Sequence, residues 1–348
     1  MSFTANPLEI GAVSMGARAA CLKRAFEGRE RTGVKLAVLL VLAFAVIVVA
    51  ALAELIVPYD PYAQDLGQAL QAPNWQHPAG TDRYGRDMLS RIIVGAQSSV
   101  FCTLALVAII AVVGLFVGMA AGWRGGAVDV VLMRVSDVFL AFPGLVFALA
   151  VAGVLGGGMH NAVIALAAIS WPKYARIARG LTLSVKNEDY LSAARLSGCR
   201  TPKLIARHVM PNIIGPVLVT AVLDIGTMLM ELAGLSFLGL GAQPPMAEWG
   251  SMMSDNRNLL QTSPRTVIAP GIAIFLVVVV FNLLGDTLRD WFDPNHRDHG
   301  VRRRKTRGRE DRGKGLAVEG PEAASSVAAG CCPNEWREER GKDTHGIM

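Results

Sequence analysis

Apolar residues in this chain are pooled into long blocks and do not recur at strand period. Stretches 36–53, 92–123, 138–172 and 267–285 contain no Asp, Glu, Lys or Arg, and 213–238 carries only Asp224 and Glu231. An uncharged apolar run of about 18 residues or more crosses about 30 Å of hydrocarbon as a helix, whose backbone satisfies its own polar groups. The pattern predicts an all-α polytopic membrane protein. Six transmembrane helices are expected, near 36–57, 98–122, 130–156, 161–178, 213–238 and 266–288. The block 138–172 counts as parts of two spans because "GVLGGGMHN" at its middle supplies the glycines and polar groups of a turn. Pro172, Lys173 and Arg176 follow Trp171 and shorten the uncharged part of the fourth span. The first run follows Arg29, Arg31 and Lys35 as an export signal would, but it is too long for a signal core and ends in "ELIVPYDP", so it reads as a span.

An even number of spans places both ends on one side. Of the 34 Lys and Arg, 29 fall on the side of the N-terminus and five on the other, and the imbalance persists when the C-terminal tail is left out. The positive-inside rule then makes both termini cytoplasmic. Residues 1–35 form a cytoplasmic N-terminal segment, and 36–97 the first transmembrane helix with a long outer loop. A second outer loop lies near 240–265. From about 298 the composition shifts to a basic and then small-residue, mixed-charge tail, expected to be disordered and cytoplasmic.

Between the fourth and fifth spans lies a polar island, "DYLSAARLSGCRTPKLIARHVMPN" at 189–212. Its punctuation predicts two short helices. The first covers 188–197, with Gly198 in the left-handed position after its end. The second starts at the cap-and-first-turn pair Thr201 and Pro202, and stops before Pro211. Ala193 and Ala194 give the first helix a small-residue surface that another backbone can approach closely. Local chemistry alone fits either an amphipathic connector on the membrane surface or a docking element for a soluble partner.

Composition narrows the function classes. The 348 residues are 52% apolar and 18% charged, with a net charge of +6. Cys21, Cys102, Cys199, Cys331 and Cys332 show neither metal spacing nor a disulfide framework. The histidines are scattered, and Met228, Met230, Met252 and Met253 read as packing residues, so no metal site and no cofactor is implied. "GREDRGKG" at 308–315 resembles a P-loop, but Gly315 stands where a Ser or Thr must reach magnesium and no apolar strand precedes it. Residues 302–309 could hold the tail on anionic lipid or be solvated. Asp224 and Glu231 lie seven residues apart and share a helix face. A carboxylate at bilayer depth costs about 2.5–3.5 kcal/mol, which favours a place in the bundle or on a water-filled path. As path-lining groups they would receive cationic or zwitterionic solute; otherwise Glu231 bonds neighbouring helices. Pro143 and Pro172 each remove an intrahelical hydrogen bond, as static kinks or hinges.

The island resembles the cytoplasmic "EAA" loop of ABC importer permeases, E-A-A-x3-G-x9-I-x-L-P. The matching positions are Ser192, Ala193, Ala194, Gly198, His208, Met210 and Pro211, and "RHVMPN", which begins at Arg207, is similar to the "RHVLPN" form common in the peptide-permease branch. Ser192 replaces the acidic residue, His208 the isoleucine and Met210 the leucine. "HPAGTDRYGRDMLSRIIVGAQSSV", "GWRGGAVDVVLMRVSDVFLAFP", "ELAGLSFLGLGAQPPMAEWGSMMSD" and "FNLLGDTLRDWFDP" are similar, in order, to signatures of the dipeptide, oligopeptide and nickel permease family, C-type subunit. The resemblance covers about 30–297. It implies a permease core over 98–297, with the coupling loop at 186–212, and no ATP site in this chain. It also implies a second, different permease subunit, two ABC ATPase subunits and an extracytoplasmic solute-binding protein as partners, and no nucleic acid. The compact outer motif Gly80, Thr81, Asp82, Gly85, Arg86 and Asp87 would then lie near the side where the binding protein docks. Local physics reads it as a glycine-bearing turn before the second span, with Arg86 and Asp87 paired. The expected cargo is a peptide or related small solute, with a nickel-type permease as the alternative. Two readings from other classes are an ion-coupled secondary transporter using Asp224 and Glu231, and a membrane scaffold.

Overall fold

In the computed structural model the described residues are 33–292, and all of their regular structure is helical apart from one isolated bridge. Helix α1, Gly33–Ala51, continues after a one-residue turn as the short α2, Ala53–Ile56. An irregular segment leads to α3, Met88–Arg124, which is 37 residues long. Then follow α4, Gly126–Leu140, α5, Gly144–Val154, and α6, Met159–Lys186. The island forms α7, Asp189–Leu196, and α8, Thr201–Leu204, and the long α9 is Met210–Phe237. Helix α10, Trp249–Asp255, and α11, Arg265–Phe292, complete the bundle.

Helices long and apolar enough to span number four among the described residues, or five if the bent pair α4–α5 is one span. Six are not reached, for two physical reasons. The expected span 130–156 breaks over three residues ending at Pro143, and its halves diverge by 89°. Pro143 takes the N-cap position of α5, where its missing N–H costs nothing. Helix α6 has the length at 28 residues, but Lys173, Arg176, Arg179 and Lys186 dilute its apolar character. The second span also starts about ten residues earlier than its hydropathy suggests, because the Asp87 carboxylate caps α3 by accepting from the Ser90 N–H at 2.7 Å.

The core is the seam between α3 and α6. Gly114, Gly118 and Gly122 recur every fourth residue on one face of α3 and meet Tyr174, Ala175, Ala178 and Thr182 of α6. A Cβ on Gly118 would stand 2.2 Å from the Ala175 carbonyl oxygen, so the helices approach as only small residues permit. Helix α9 packs on both members of this pair, and α11 joins α9 through a similar contact, where Gly285 faces Leu223. Helix α1 is largely exposed, with Val41 and Phe44 outward and Ala43 and Ala50 buried. The turn before α6 is as the glycines foretold: Gly156, Gly157 and Gly158 all have positive φ, and the Asn161 side-chain amide donates to the carbonyls of Leu155 and Gly157. The second loop is not open coil, since α10 lies buried against α9 and α3. Met228 and Met252 are packed as expected, whereas Met230 is exposed. The tail's basic run, its P-loop-like stretch and Cys331 and Cys332 lie outside the described residues, as do residues 1–32.

Candidate functional site

Helix α7 ends in a Schellman motif. The Cys199 N–H bonds to the Ala194 carbonyl at 3.2 Å and the Gly198 N–H to that of Arg195 at 2.9 Å, with Gly198 at φ +78°. Leu191 is fully buried and fixes the helix to the bundle, while Ser192, Ala193, Arg195, Leu196 and Gly198 are exposed and Ala194 is half-buried. The Arg195 guanidinium lies over the Trp123 ring at the end of α3, 5.0 Å from its centroid. Lys186 donates to the Trp123 carbonyl at 2.7 Å. The α7 helix is thus held at the end of both α3 and α6.

The second half of the hairpin differs from expectation. It does not end before Pro211; it runs through a π-helical turn, Ile205–Val209, straight into α9, giving one continuous helix Thr201–Phe237. Pro211 has no N–H for the carbonyl four residues back, and the Met210 N–H already reaches Ile205, five back. The wide turn thereby absorbs the proline without breaking the helix. Thr201 is not the cap either: Arg200 holds that position, with no side-chain cap bond. Arg207 and Pro211 are exposed, and His208 sits beside the Tyr190 ring, 6.3 Å between centroids. The Asn212 side chain ties α9 back to the hairpin by donating to the Tyr190 hydroxyl and to the His208 carbonyl.

Halfway along the bundle, Asp224 does not stand alone. Lys173 of α6 donates to both of its carboxylate oxygens, at 2.6 and 2.9 Å. Asp224 lies 11 residues from one end and 14 from the other of the charge-poor stretch 213–238, so the pair joins α6 to the middle of the apolar part of α9. The Tyr174 hydroxyl is buried and lies within electrostatic range of Asp224. Glu231 is half-buried two turns along α9, within electrostatic range of Asp224 and Lys173. Lys173 was visible in sequence only as a charge that shortens a span. Nothing local matches it to a carboxylate 51 positions away.

At the opposite end, the Gly80–Asp87 motif is a closed polar knot. Thr81 and Asp87 form an antiparallel bridge, and Gly80 and Gly85 both have φ +74°. A Cβ on Gly85 would fall 1.7 Å from the Asp65 carbonyl oxygen, so only glycine fits. The local pairing differs from the one read in sequence. Arg86 pairs with Asp82 at 2.6 Å, and Asp87 bonds His77 at 2.9 Å besides capping α3. Asp82 also accepts from the N–H groups of Tyr84 and Arg86, and Thr81 links the carbonyl of Gln68 to the N–H of Gln71. Thr81, Asp82, Arg86 and Asp87 are all buried. Sequence reading missed His77 and Arg91, which complete this knot, and Glu248, which caps α10 from beside Ser99 of α3.

Among the described residues no group of His, Cys, Asp and Glu is arranged to hold a metal ion. Two ion pairs join α4 to α6 toward the hairpin end: Arg179 with Asp129, in a two-pronged contact, and Arg176 with Asp137. Asp129, Asp137 and Arg179 line a shallow pocket with Val130, Met133 and Arg134.

Comparison with known proteins matches these elements to a family. Residues 114–298 match the family described as binding-protein-dependent transport system inner membrane component. The chain is 41% identical over 266 residues to the nickel transport system permease protein NikC of Escherichia coli K12, covering 76% of this chain and 95% of that protein. It is 39% identical over 261 residues to the dipeptide transport system permease protein DppC of Alkalihalophilus pseudofirmus, covering 75% and 86%. It is 40% identical over 249 residues to the glutathione transport system permease protein GsiD of Pectobacterium atrosepticum, covering 71% and 83%. The chain therefore belongs to the binding-protein-dependent transport system inner membrane components, as an ABC importer permease of the dipeptide, nickel and glutathione branch.

Proposed function

We propose that this permease pairs with a second, different permease subunit to enclose the pathway for a peptide or related small solute. Two ABC ATPase subunits dock on its hairpin and an extracytoplasmic binding protein delivers the solute at the opposite end. The core comprises 98–297, the coupling loop 186–212, and both termini are cytoplasmic. The observation that carries this reading is the build of the hairpin. One side of α7 is anchored by Leu191 and by Arg195 on Trp123, and the other presents Ser192, Ala193 and the 90% exposed Leu196 to solvent. An apolar side chain so exposed at the tip of a fixed helix suits insertion into a partner's groove. Ser192 offers that groove a hydroxyl where the family has a carboxylate. The continuous helix from Thr201 to Phe237 would carry any displacement of the hairpin to mid-membrane, because packed helices shift as units.

The polar knot at Gly80–Asp87 supports the delivery end as a rigid platform. Its buried charges hold the loop in one shape, and the contacts to the binding protein come from the exposed residues around it. Asp224 and Glu231 lie on the pathway side of α9. ATP hydrolysis belongs to the separate subunits.

The decisive test is co-purification with the ATPase subunits. Gly198→Val puts a β-branched residue at φ +78° and should unwind the end of α7. It should lose the ATPases while the permease pair still assembles. Retention of stoichiometric ATPase by this variant and by Leu196→Asp would refute docking through the hairpin.

A further inference from the structure

We infer that Lys173, held by Asp224, is a solute-contacting group of the pathway, and that with Glu231 it forms a mid-membrane station for a zwitterion. The inference rests on the permease reading and deepens it. It also reverses the sequence-level picture, in which the Asp224 carboxylate itself would face the solute.

The geometry is specific. Both Asp224 oxygens are engaged by the Lys173 ammonium, and the carboxylate side chain is 8% exposed. The lysine side chain is 52% exposed, so the charge that Asp224 hides is presented by its partner. An ammonium carries three N–H donors in all, and the carboxylate takes part of that capacity. Its partner Asp224 stands about 16 and 21 Å from the two ends of the charge-poor stretch 213–238 at 1.5 Å per residue, and the ion pair holds the ammonium at that depth. A half-exposed ammonium at that depth does not face hydrocarbon, because charges inside membranes turn to the bundle interior or to water. Its open side therefore belongs to the aqueous passage. Tyr174, next in the chain, places a buried hydroxyl beside the same carboxylate.

Glu231 supplies the second half. It is half-buried two turns beyond Asp224 and within electrostatic range of the pair. A solute with one carboxylate and one ammonium satisfies both ends: the carboxylate on Lys173, the ammonium on Glu231. Asp224 acts as a positioning residue, fixing the lysine rotamer through both of its oxygens. A bare divalent cation would meet the lysine as repulsion.

The test uses the whole importer in proteoliposomes, with partner permease, ATPases and binding protein. ATP-driven uptake of radiolabelled glycyl-leucine is compared with that of glycyl-leucinamide, which lacks the carboxylate. Because the same binding protein serves every variant, its own selectivity cancels when the ratio of the two uptakes is compared between variants. The double change Lys173→Gln with Asp224→Asn removes the charge pair without stranding a buried carboxylate, and Lys173→Arg keeps the cation. The expected result is a ratio about tenfold lower in the double variant, as for loss of a group that bonds the solute, and a ratio near wild type in Lys173→Arg. A double-variant ratio within about twofold of wild type overturns the station and leaves the permease reading standing. Wild-type uptake of ⁶³Ni²⁺ with no uptake of glycyl-leucine also overturns it. Absence of any ATP-driven uptake of these three probes by the complete wild-type assembly would count against the permease reading itself, and the station would fall with it.

Discussion

The guanidinium of Arg195 rests on the indole of Trp123, so the exposed hairpin helix α7 is braced against the end of the 37-residue α3. Lys186 closes the same corner by donating to the Trp123 carbonyl and approaching its ring. A contact of this kind is worth about 0.5–1 kcal/mol at an exposed site. That is too little to unfold the protein but enough to loosen the brace. Trp123→Ala is expected to leave folding and ATPase binding intact while raising the ATP hydrolysed per solute transported. Trp123→Phe should recover most of the coupling. Stoichiometry in reconstituted vesicles checks this, and an unchanged ratio in Trp123→Ala would show that the brace transmits nothing.

The glycine seam gives a prediction about stability. Gly118→Leu forces a Cβ into a position 2.2 Å from a backbone carbonyl, which no rotamer can relieve. Separating α3 from α6 should lower stability by about 3 kcal/mol or more. Gly180→Ala is the control. Nothing lies near its added methyl group, and helix propensity favours alanine by about 1 kcal/mol. Thermal unfolding in detergent should therefore move in opposite directions for the two variants.

Buried charge at the Gly80–Asp87 knot makes single and double substitutions diverge. Arg86→Ala removes the main partner of Asp82, leaving Arg91 at 3.9 Å and two backbone N–H groups. Loss of one member of a buried pair typically costs about 3–5 kcal/mol. Combining Arg86→Gln with Asp82→Asn leaves no stranded charge and should cost clearly less than the sum of the singles. A double-mutant cycle by chemical denaturation measures the difference, and strict additivity would mean that the pair is not coupled.

Glu248 predicts a pH dependence. Burial pushes its carboxyl above the ordinary value of 4.5, partly opposed by hydrogen bonds from the Gly250 and Ser251 N–H groups and from the Ser99 hydroxyl. The folded state then holds this proton more tightly than the unfolded chain does. The contribution is fully present below the unfolded value and is lost as pH rises through the raised folded value. The thermal midpoint should fall over that interval, and Glu248→Gln should flatten the slope there. An identical slope in wild type and variant would show that Glu248 does not titrate abnormally.

Much of the fold was legible in the sequence because its signals are local. Uncharged blocks identified the lipid-embedded helices, positive-φ glycines marked the turn at 156–158, and Gly198 marked the end of α7. The limits of that legibility are equally specific. A hydropathy block cannot reveal an 89° bend, since apolar content is the same on both sides of the break at Pro143. Nor could Pro211 announce whether it ends a helix or is absorbed by a π-turn; both relieve the same missing N–H, and packing of Leu204, Val209 and Ile213 into the core selected the second.

By itself the sequence determined that this chain is helical and membrane-spanning, and that a polar hairpin whose first helix ends at Gly198 interrupts its apolar blocks. Those properties depend on composition and short-range spacing. Only the tertiary structure decided that Asp224 is answered by Lys173, that Arg86 turns to Asp82, and that the hairpin is one piece with α9. The reason is physical: a charge in a low-dielectric interior takes whichever partner the packed helices bring within reach, and that neighbour is set by helix crossing and not by distance along the chain.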